Sequence, residues 1–534
     1  MASSQKQGLL TRFPKEAKIT KFYGPKVKDS LNLGGERRDI KPPKGIVVKR
    51  TNFGNVDRNS SRKTWTPVYH KSNDMQQIKH LYWRAGFGLS PTAWAERRNW
   101  SVQRAVEQLF AEAAKDQSIR NAIAAASGPF ENFSEMSQMS KDERRKEARK
   151  KITADTADWI QMMADERSSA LKHRMMLFWH GHFACRVLQP NLALKQLAVL
   201  EEHALGNFRD LVLGIARDPA MIRYLNNQQN RKDSPNENFA RELMELFTIG
   251  RGNYSERDVK EAARAFTGWS SNLRGEFVFR RFQHDFGSKT FMGKTGNFDG
   301  DDIIDMLLAR KQTAVFLTRK IYRYFVNDKV DEARVQELAE SFYSSGYDIG
   351  RLMRNLFSSD WFYAPQNMGT QIKSPIVLLV GMMRTLPTEF RDDRTFLILQ
   401  KALGQMIFNP PNVAGWPGGQ SWIDNSTLML RLNLPVYLLE AGEANLRPKD
   451  ALESDSRGGR LRKLDARIDF SRLENWLGAQ QPAAAAKELA EYLIVRPVQL
   501  PALLAEGLAR QSDTARTLPM MLVGVMSLPE YQLC

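Results

Sequence analysis

The sequence predicts an all-α protein: a large multi-helical body with irregular Gly/Pro/Trp loops and a basic, extended N-terminal arm. Three observations carry this reading. Apolar residues recur at helical spacing over most of the chain from Asp74 onward, helix start signals precede many of these runs, and strand-like text is scarce.

Residues 1–73 hold Pro14, Pro25, Pro42, Pro43 and Pro67, many glycines and little periodicity. They are expected to be extended or disordered, with Phe22, Tyr23, Trp65 and Tyr69 available to pin them on the body. The stretch DMQQIKHLYWRAGFG (74–88) then has helical spacing and a Gly-Phe-Gly stop. Ser90 reads as an N-cap with Pro91 at the first helical position. Ser140 and Glu143 form a capping box before a charged helix whose basic run is a solvated face. Helical patterns recur over 152–180, 191–205, 207–217, 219–226, 236–249 and 255–268, and again over 301–310, 312–326, 331–345 and 348–357. Further patterns cover 374–386, 393–407, 426–441, 485–494, 497–510 and 514–527. Asp218-Pro219, Ser255 and Ser374-Pro375 supply start signals. The best strand candidate is GEFVFRRFQHDF (275–286), as a short hairpin or extended loop. The expected organisation is an arm over 1–73, a main helical domain over 74–442, a polar linker over 443–481 and a C-terminal helical segment, 482–534, packed on the main domain.

Hydrophobic content of 42% is ample for a sizeable core. The net charge of +18 is unevenly placed: residues 1–73 hold 17 Lys/Arg against 5 Asp/Glu. Such an arm suits a partner protein, nucleic acid or another polyanion, although it lacks a recognisable reading motif. Two cysteines, Cys185 and Cys534, rule out a disulfide framework and fit a reducing compartment. No run of about 18 apolar residues marks a transmembrane helix, and the N-terminus lacks the apolar core of a secretory signal. The expected location is therefore cytoplasmic, with periplasmic or exported routes left open.

Four blocks carry candidate chemistry. In HRMMLFWHGHFACRV (173–187), His173 and His180 share a helix face, and Gly181 is expected to end the helix and free His182 to turn toward the same centre. The alternative is a packed core of Phe178, Trp179 and Phe183 with satisfied imidazoles. In SPNENFARELMELFTIG (234–250), Asn236 caps a helix on which Glu237, Arg241 and Glu245 form one stripe, and Asn238, Glu242 and Glu245 an adjacent one. Buried carboxylates need partners, here Arg241, Arg264 or a metal. Asp258 reads as the second half of a capping box with Ser255. HDFGSKTFMG (284–293) pairs His284 with Asp285, as a metal ligand beside a carboxylate or a base with its orienter. NPPNVAGWPGGQSWI (409–423) reads as a rigid wall or lid. Nucleotide-binding, zincin, CxxC and nucleophile-elbow motifs are absent. NFDGDDIID (297–305) departs from a calcium loop, and Asp299 is better read as a helix cap.

These blocks, with HLYWRAGFG (80–88), HALGNFRDL (203–211), DPAMIRYLNN (218–227), YSERDVKEAARAFTGW (254–269), IKSPIVLLVGMMR (372–384) and MSLPEYQL (526–533), resemble in order those of a bacterial family known as domain of unknown function 1800. The resemblance covers about residues 75–534 and leaves out the arm. It implies no reaction. It carries over His80, His180, His182, His203, Asn236, Glu237, Asn238, Arg241, Glu242, Glu245, Asp258, His284 and Asp285 as motif positions. Members commonly look exported, and this sequence departs by lacking an evident signal.

The leading expectation is a metal-dependent enzyme, hydrolytic or oxidative. His180, His182, Glu242, Glu245 and His284 would bind a divalent ion, with Glu237 and Asp285 as catalytic carboxylates. Mixed imidazole and carboxylate ligation suits iron, manganese or zinc. A sugar or polymer is the expected substrate class. The alternative is a non-catalytic helical scaffold or binding protein whose basic arm docks a partner or polyanion.

Overall fold

Capping chemistry sets most of the helix starts. The Ser90 hydroxyl accepts the Ala93 N–H at 3.2 Å, and Pro91 opens the helix behind it. Ser140 with Glu143, Ser255 with Asp258, and Asp299 with Asp302 form reciprocal capping boxes. Asp218 and Ser374 each cap a helix whose first residue is proline. Each such cap is worth about 1 kcal/mol, so the starts follow local sequence.

The computed structural model describes residues 71–126, 140–439, 464 and 466–534, and the expectations for the arm fall on residues outside these. The described helices belong to one unit, Val68–Cys534. It is mostly α-helical, with three two-stranded antiparallel sheets. Trp269–Ser271 pairs with Phe277–Phe279, so the strand expected within 275–286 is the return arm of a hairpin. Lys289–Phe291 pairs with Lys294–Gly296 across Met292 and Gly293, both at positive φ, as a tight hairpin turn demands. Thr388–Phe390 pairs with Ala466–Ile468.

One large apolar cluster runs through the body. Two of its indoles, Trp159 and Trp179, are buried with their N–H groups satisfied. Trp179 donates to the Ala204 carbonyl at 3.0 Å, and Trp159 donates to His173 Nδ1 at 3.2 Å. His173 Nε2 lies 3.0 Å from the Ser118 hydroxyl, so this imidazole is a satisfied core group.

Three boundaries differ from those expected. The charged helix and the first part of 152–180 are one helix, Lys141–Ala164, and the chain breaks at Asp165 before restarting at Ala170. Asp165 stops it by accepting the Arg167 N–H and guanidinium, and Ser169 caps the restart. Gly181 does not end the second helix, which runs Ala170–His182. Finally, part of the expected 443–481 linker has regular structure: the strand Ala466–Ile468 and the helix Ser471–Leu477. There the apolar residues Leu473 and Leu477 reach the core. Residues 440–463 and 465 fall outside the described part.

Candidate functional site

The site is built where the Ala170–His182 helix meets the carboxylate-bearing helix. Because the first helix continues through Gly181, His180 and His182 project about 200° apart and serve different neighbours. His180 Nε2 accepts the Phe408 N–H at 3.1 Å, with the Trp159, Phe408 and Trp416 rings around it. Burial pushes this imidazole down to about 4. The loop over 409–423 packs here through Gly415, whose backbone lies against the Gly181 carbonyl.

His182 turns the other way. Its Nε2–H donates to the Phe247 carbonyl at 3.1 Å, and its Nδ1 accepts from Lys320 Nζ at 3.2 Å. Lys320 also donates to the Leu246 carbonyl at 2.9 Å. Burial and then the Lys320 charge hold the His182 imidazole well below its ordinary range. Burial alone brings Lys320 down to about 8.

Those two carbonyls belong to a wide turn. The expected helix over 236–249 is α-helical only over Asn238–Glu242, then forms a π turn over Leu243–Phe247. The Ile249 N–H closes back five residues to the Met244 carbonyl at 3.1 Å, and the Thr248 hydroxyl donates to the Leu243 carbonyl at 2.6 Å. A π turn takes an extra residue, which shifts everything after it off the i, i+4 stripe and frees carbonyls for outside donors. His182 and Lys320 are those donors.

The shift redistributes the carboxylates. Arg241 pairs with Glu237 and Glu256, not with Glu245. Arg264 pairs with Asp285 and Glu261. Glu245 instead meets Arg251 and the Tyr254 hydroxyl, the latter at 2.8 Å. Burial alone would raise the Glu245 carboxyl, but the hydrogen bonds from Arg251 and Tyr254 outweigh it and hold the group below its usual range. Glu242 is half-buried, and among the described residues no hydrogen bond reaches its carboxylate. Burial, and then the charge of Glu245, raise its carboxyl against the pull of Arg241 and Arg251. Two neighbouring carboxyls are thus driven in opposite directions.

His284 and Asp285 lie in another setting. His284 Nδ1–H donates to the Thr267 carbonyl at 2.8 Å, between the rings of Phe279 and Phe286. Asp285 takes the Arg264 Nε at 2.7 Å and the Gly287 N–H at 2.8 Å. The Glu256–Ala265 helix clasps the whole 284–292 loop: Asp258 accepts the Met292 N–H and Glu261 the Thr290 N–H. Asp258 is therefore both cap and clamp. Asn236, expected as the cap, lies one residue before the N-cap position, which Glu237 fills without a side-chain cap bond, and its side chain accepts the Asn238 N–H as a turn.

Of the five residues expected to share one metal centre, His180, His182, Glu245 and His284 thus each have different hydrogen-bond partners, and no hydrogen bond among the described residues reaches Glu242. His182 has both ring nitrogens engaged, and His180 and His284 each spend one on the backbone. Among the described residues, no group of three or more His, Cys, Asp or Glu is placed to hold a metal ion. Sequence reasoning missed Lys320, Arg251 and Tyr254. The last two stand in the stretch RGNY directly after the helix, whereas a lone lysine on an amphipathic helix offers no signal.

Compared with known protein families, residues 80–533 match the one described as a protein of unknown function, DUF1800. The chain belongs to that family. None of the curated proteins and none of the solved structures compared with it matches. The DUF1800 match takes in every block described above, from His80 to the C-terminal helices, and leaves the basic arm outside. Among the described residues of this DUF1800 protein, no helix is long and apolar enough to cross a membrane.

Proposed function

We propose that this chain is an acid–base enzyme acting at the Glu242–Glu245 pair, with a sugar or polymer as substrate and hydrolysis as the reaction. One observation carries it: Glu242 is a half-buried carboxyl with a raised proton affinity and no hydrogen-bond partner among the described residues, beside a carboxylate held ionised. Neighbouring carboxyls pushed apart in this way divide into an acid and a base. Glu242 would give its proton to the leaving oxygen, and Glu245 would take one from the attacking water. His182 and Lys320 are positioning residues, holding the π turn between the two.

The metal-dependent version, with iron, manganese or zinc, has less support, because the imidazoles it needs are turned toward backbone and lysine. Elemental analysis of protein purified without a metal column tests that version. The scaffold reading is favoured by a different observation: Glu237, Glu245 and Asp285 all end on arginines.

The deciding experiment compares wild type with Glu242→Gln. A panel of polysaccharides and chromogenic glycosides is assayed across pH, and the carboxyl titrations are followed by NMR with labelled glutamate. The expected result is turnover in the wild type, lost in the variant by at least about a hundredfold, with its melting temperature unchanged or higher. A Glu242 carboxyl that titrates at its ordinary value sinks the acid–base reading and favours the scaffold.

A further inference from the structure

A cleft of about 550 Å3, lined by neither carboxylate of the pair, lies between the 223–231 segment and the Trp269–Phe279 hairpin. Its size suits a small ligand. Arg223, Arg231 and Arg280 line it together with Gln228, Ser270 and Asn272, and none of the lining residues is acidic. Arg223 is held in place by neutral groups alone. Its Nε donates to the Ser271 hydroxyl at 3.2 Å, one Nη to the Asn272 carbonyl at 3.0 Å, and the other to the Gln189 side-chain oxygen. The guanidinium is therefore rigid while its charge stays uncompensated. Arg231 and Arg280 have exposed side chains and make no ion pair among the described residues. Glu276, close by on the hairpin, is engaged by the Asn272 amide at 2.7 Å.

The floor supplies the second observation. Ser270 is 1% exposed and its hydroxyl has no partner. The side-chain oxygen of Gln228 is buried and equally unpartnered. Buried polar atoms are nearly always satisfied, so a donor and an acceptor left open in one cleft mark the places of a ligand's polar groups. Gln228 Oε1 can only accept, which asks for a donor, a part that a sugar hydroxyl fills. The guanidiniums ask for an anion, best met by a carboxylate or phosphate.

We propose that this cleft binds an anionic sugar, a mono- or short oligosaccharide carrying a carboxylate or a phosphate. The anionic group lies against Arg223, Arg231 and Arg280, and the sugar hydroxyls meet Ser270 and Gln228. This proposal is independent of the acid–base reading, and Glu242→Gln is expected to leave binding unchanged.

Calorimetric titration of the full chain tests it with four probes: glucuronate, glucose 6-phosphate, glucose and inorganic phosphate. One of the two anionic sugars is expected to bind saturably, in the ~1 mM range or tighter, and at least about tenfold more tightly than glucose or inorganic phosphate. Which of the two binds identifies the anionic group. Arg231→Gln with Arg280→Gln, both on exposed side chains, should weaken binding by about tenfold or more with the melting temperature unchanged. Ser270→Ala should weaken it as well. Neither anionic sugar binding, inorganic phosphate binding as tightly as the sugars, or binding indifferent to the arginine changes would each overturn the proposal.

Discussion

His182 sits between a cation and a carbonyl oxygen, with Nδ1 accepting from Lys320 and Nε2–H donating to Phe247. That pattern fixes one neutral tautomer, since a proton on Nδ1 would face the lysine. The imidazole bridges two elements far apart in sequence. Removing it leaves a buried carbonyl without its donor and a buried ammonium with one acceptor fewer. His182→Ala is therefore expected to lower stability by about 2–4 kcal/mol, read from urea unfolding. A loss under about 0.5 kcal/mol would show that water replaces the ring and that His182 does not hold the turn. Glu242 is the opposite case, a carboxyl that no hydrogen bond reaches among the described residues, and its substitution is expected to spare the fold and remove the chemistry.

The decisive element is the π turn over Leu243–Phe247. The residues of this segment fit an ordinary amphipathic helix, and that periodicity predicts a Glu237–Arg241–Glu245 stripe. The wide turn breaks the stripe after Arg241 and hands Glu245 to Arg251 and Tyr254. The Gly/Pro/Trp loop over 409–423 is a second decisive element, because it closes on the end of the Ala170–His182 helix. Gly415 has φ +79°, and a Cβ there would lie 2.4 Å from the Gly181 carbonyl oxygen. Gly415→Ala must therefore strain the backbone and push the loop off. It is expected to cost about 2 kcal/mol or more and to change the fluorescence of Trp416, which lies against His180. A variant as stable as wild type, with unaltered emission, would mean that the loop does not bear on the helix end.

At the scale of the whole molecule, the buried bases govern the acid side of stability. His80, His173, His180 and His182 are all held below their ordinary range, in each case first by burial. For His180 the unfolded value is 6.5 and the folded value about 4. Between these the unfolded chain binds a proton that the folded one does not, so stability is full above pH 6.5 and falls as pH drops toward 4. His180 alone contributes on the order of 3 kcal/mol of that loss. Raised carboxyls oppose it: burial pushes Asp218 up to about 6 and raises Asp158, Glu201 and Glu242 as well. Urea unfolding at pH 7 and pH 5 is expected to show a clear loss at the lower pH. Equal stabilities would mean that the imidazoles are already charged in the fold. Lys373 acts at the other end: burial lowers it to about 7, against 10.5 in the unfolded chain, so stability rises with pH across that window.

The helical class, the caps at Ser90, Ser140, Asp218, Ser255, Asp299 and Ser374, and the family were legible in the sequence, because caps and periodicity are local. So was the list of polar residues worth following. What each of them does was decided only in three dimensions. Gly181 looked like a helix stop, but the helix continues beneath the 409–423 loop, where its carbonyl meets Gly415. Glu245 looked like a partner for Arg241 or Arg264 until the π turn moved it, and those arginines went to Glu237, Glu256, Glu261 and Asp285. The partners that settle the roles of His182 and His180 are Lys320 and Phe408, 138 and 228 residues away. The sequence by itself determines which groups this protein buries and where its helices begin. Which buried group faces which is a long-range choice, made when packing brings most desolvated polar atoms to a partner.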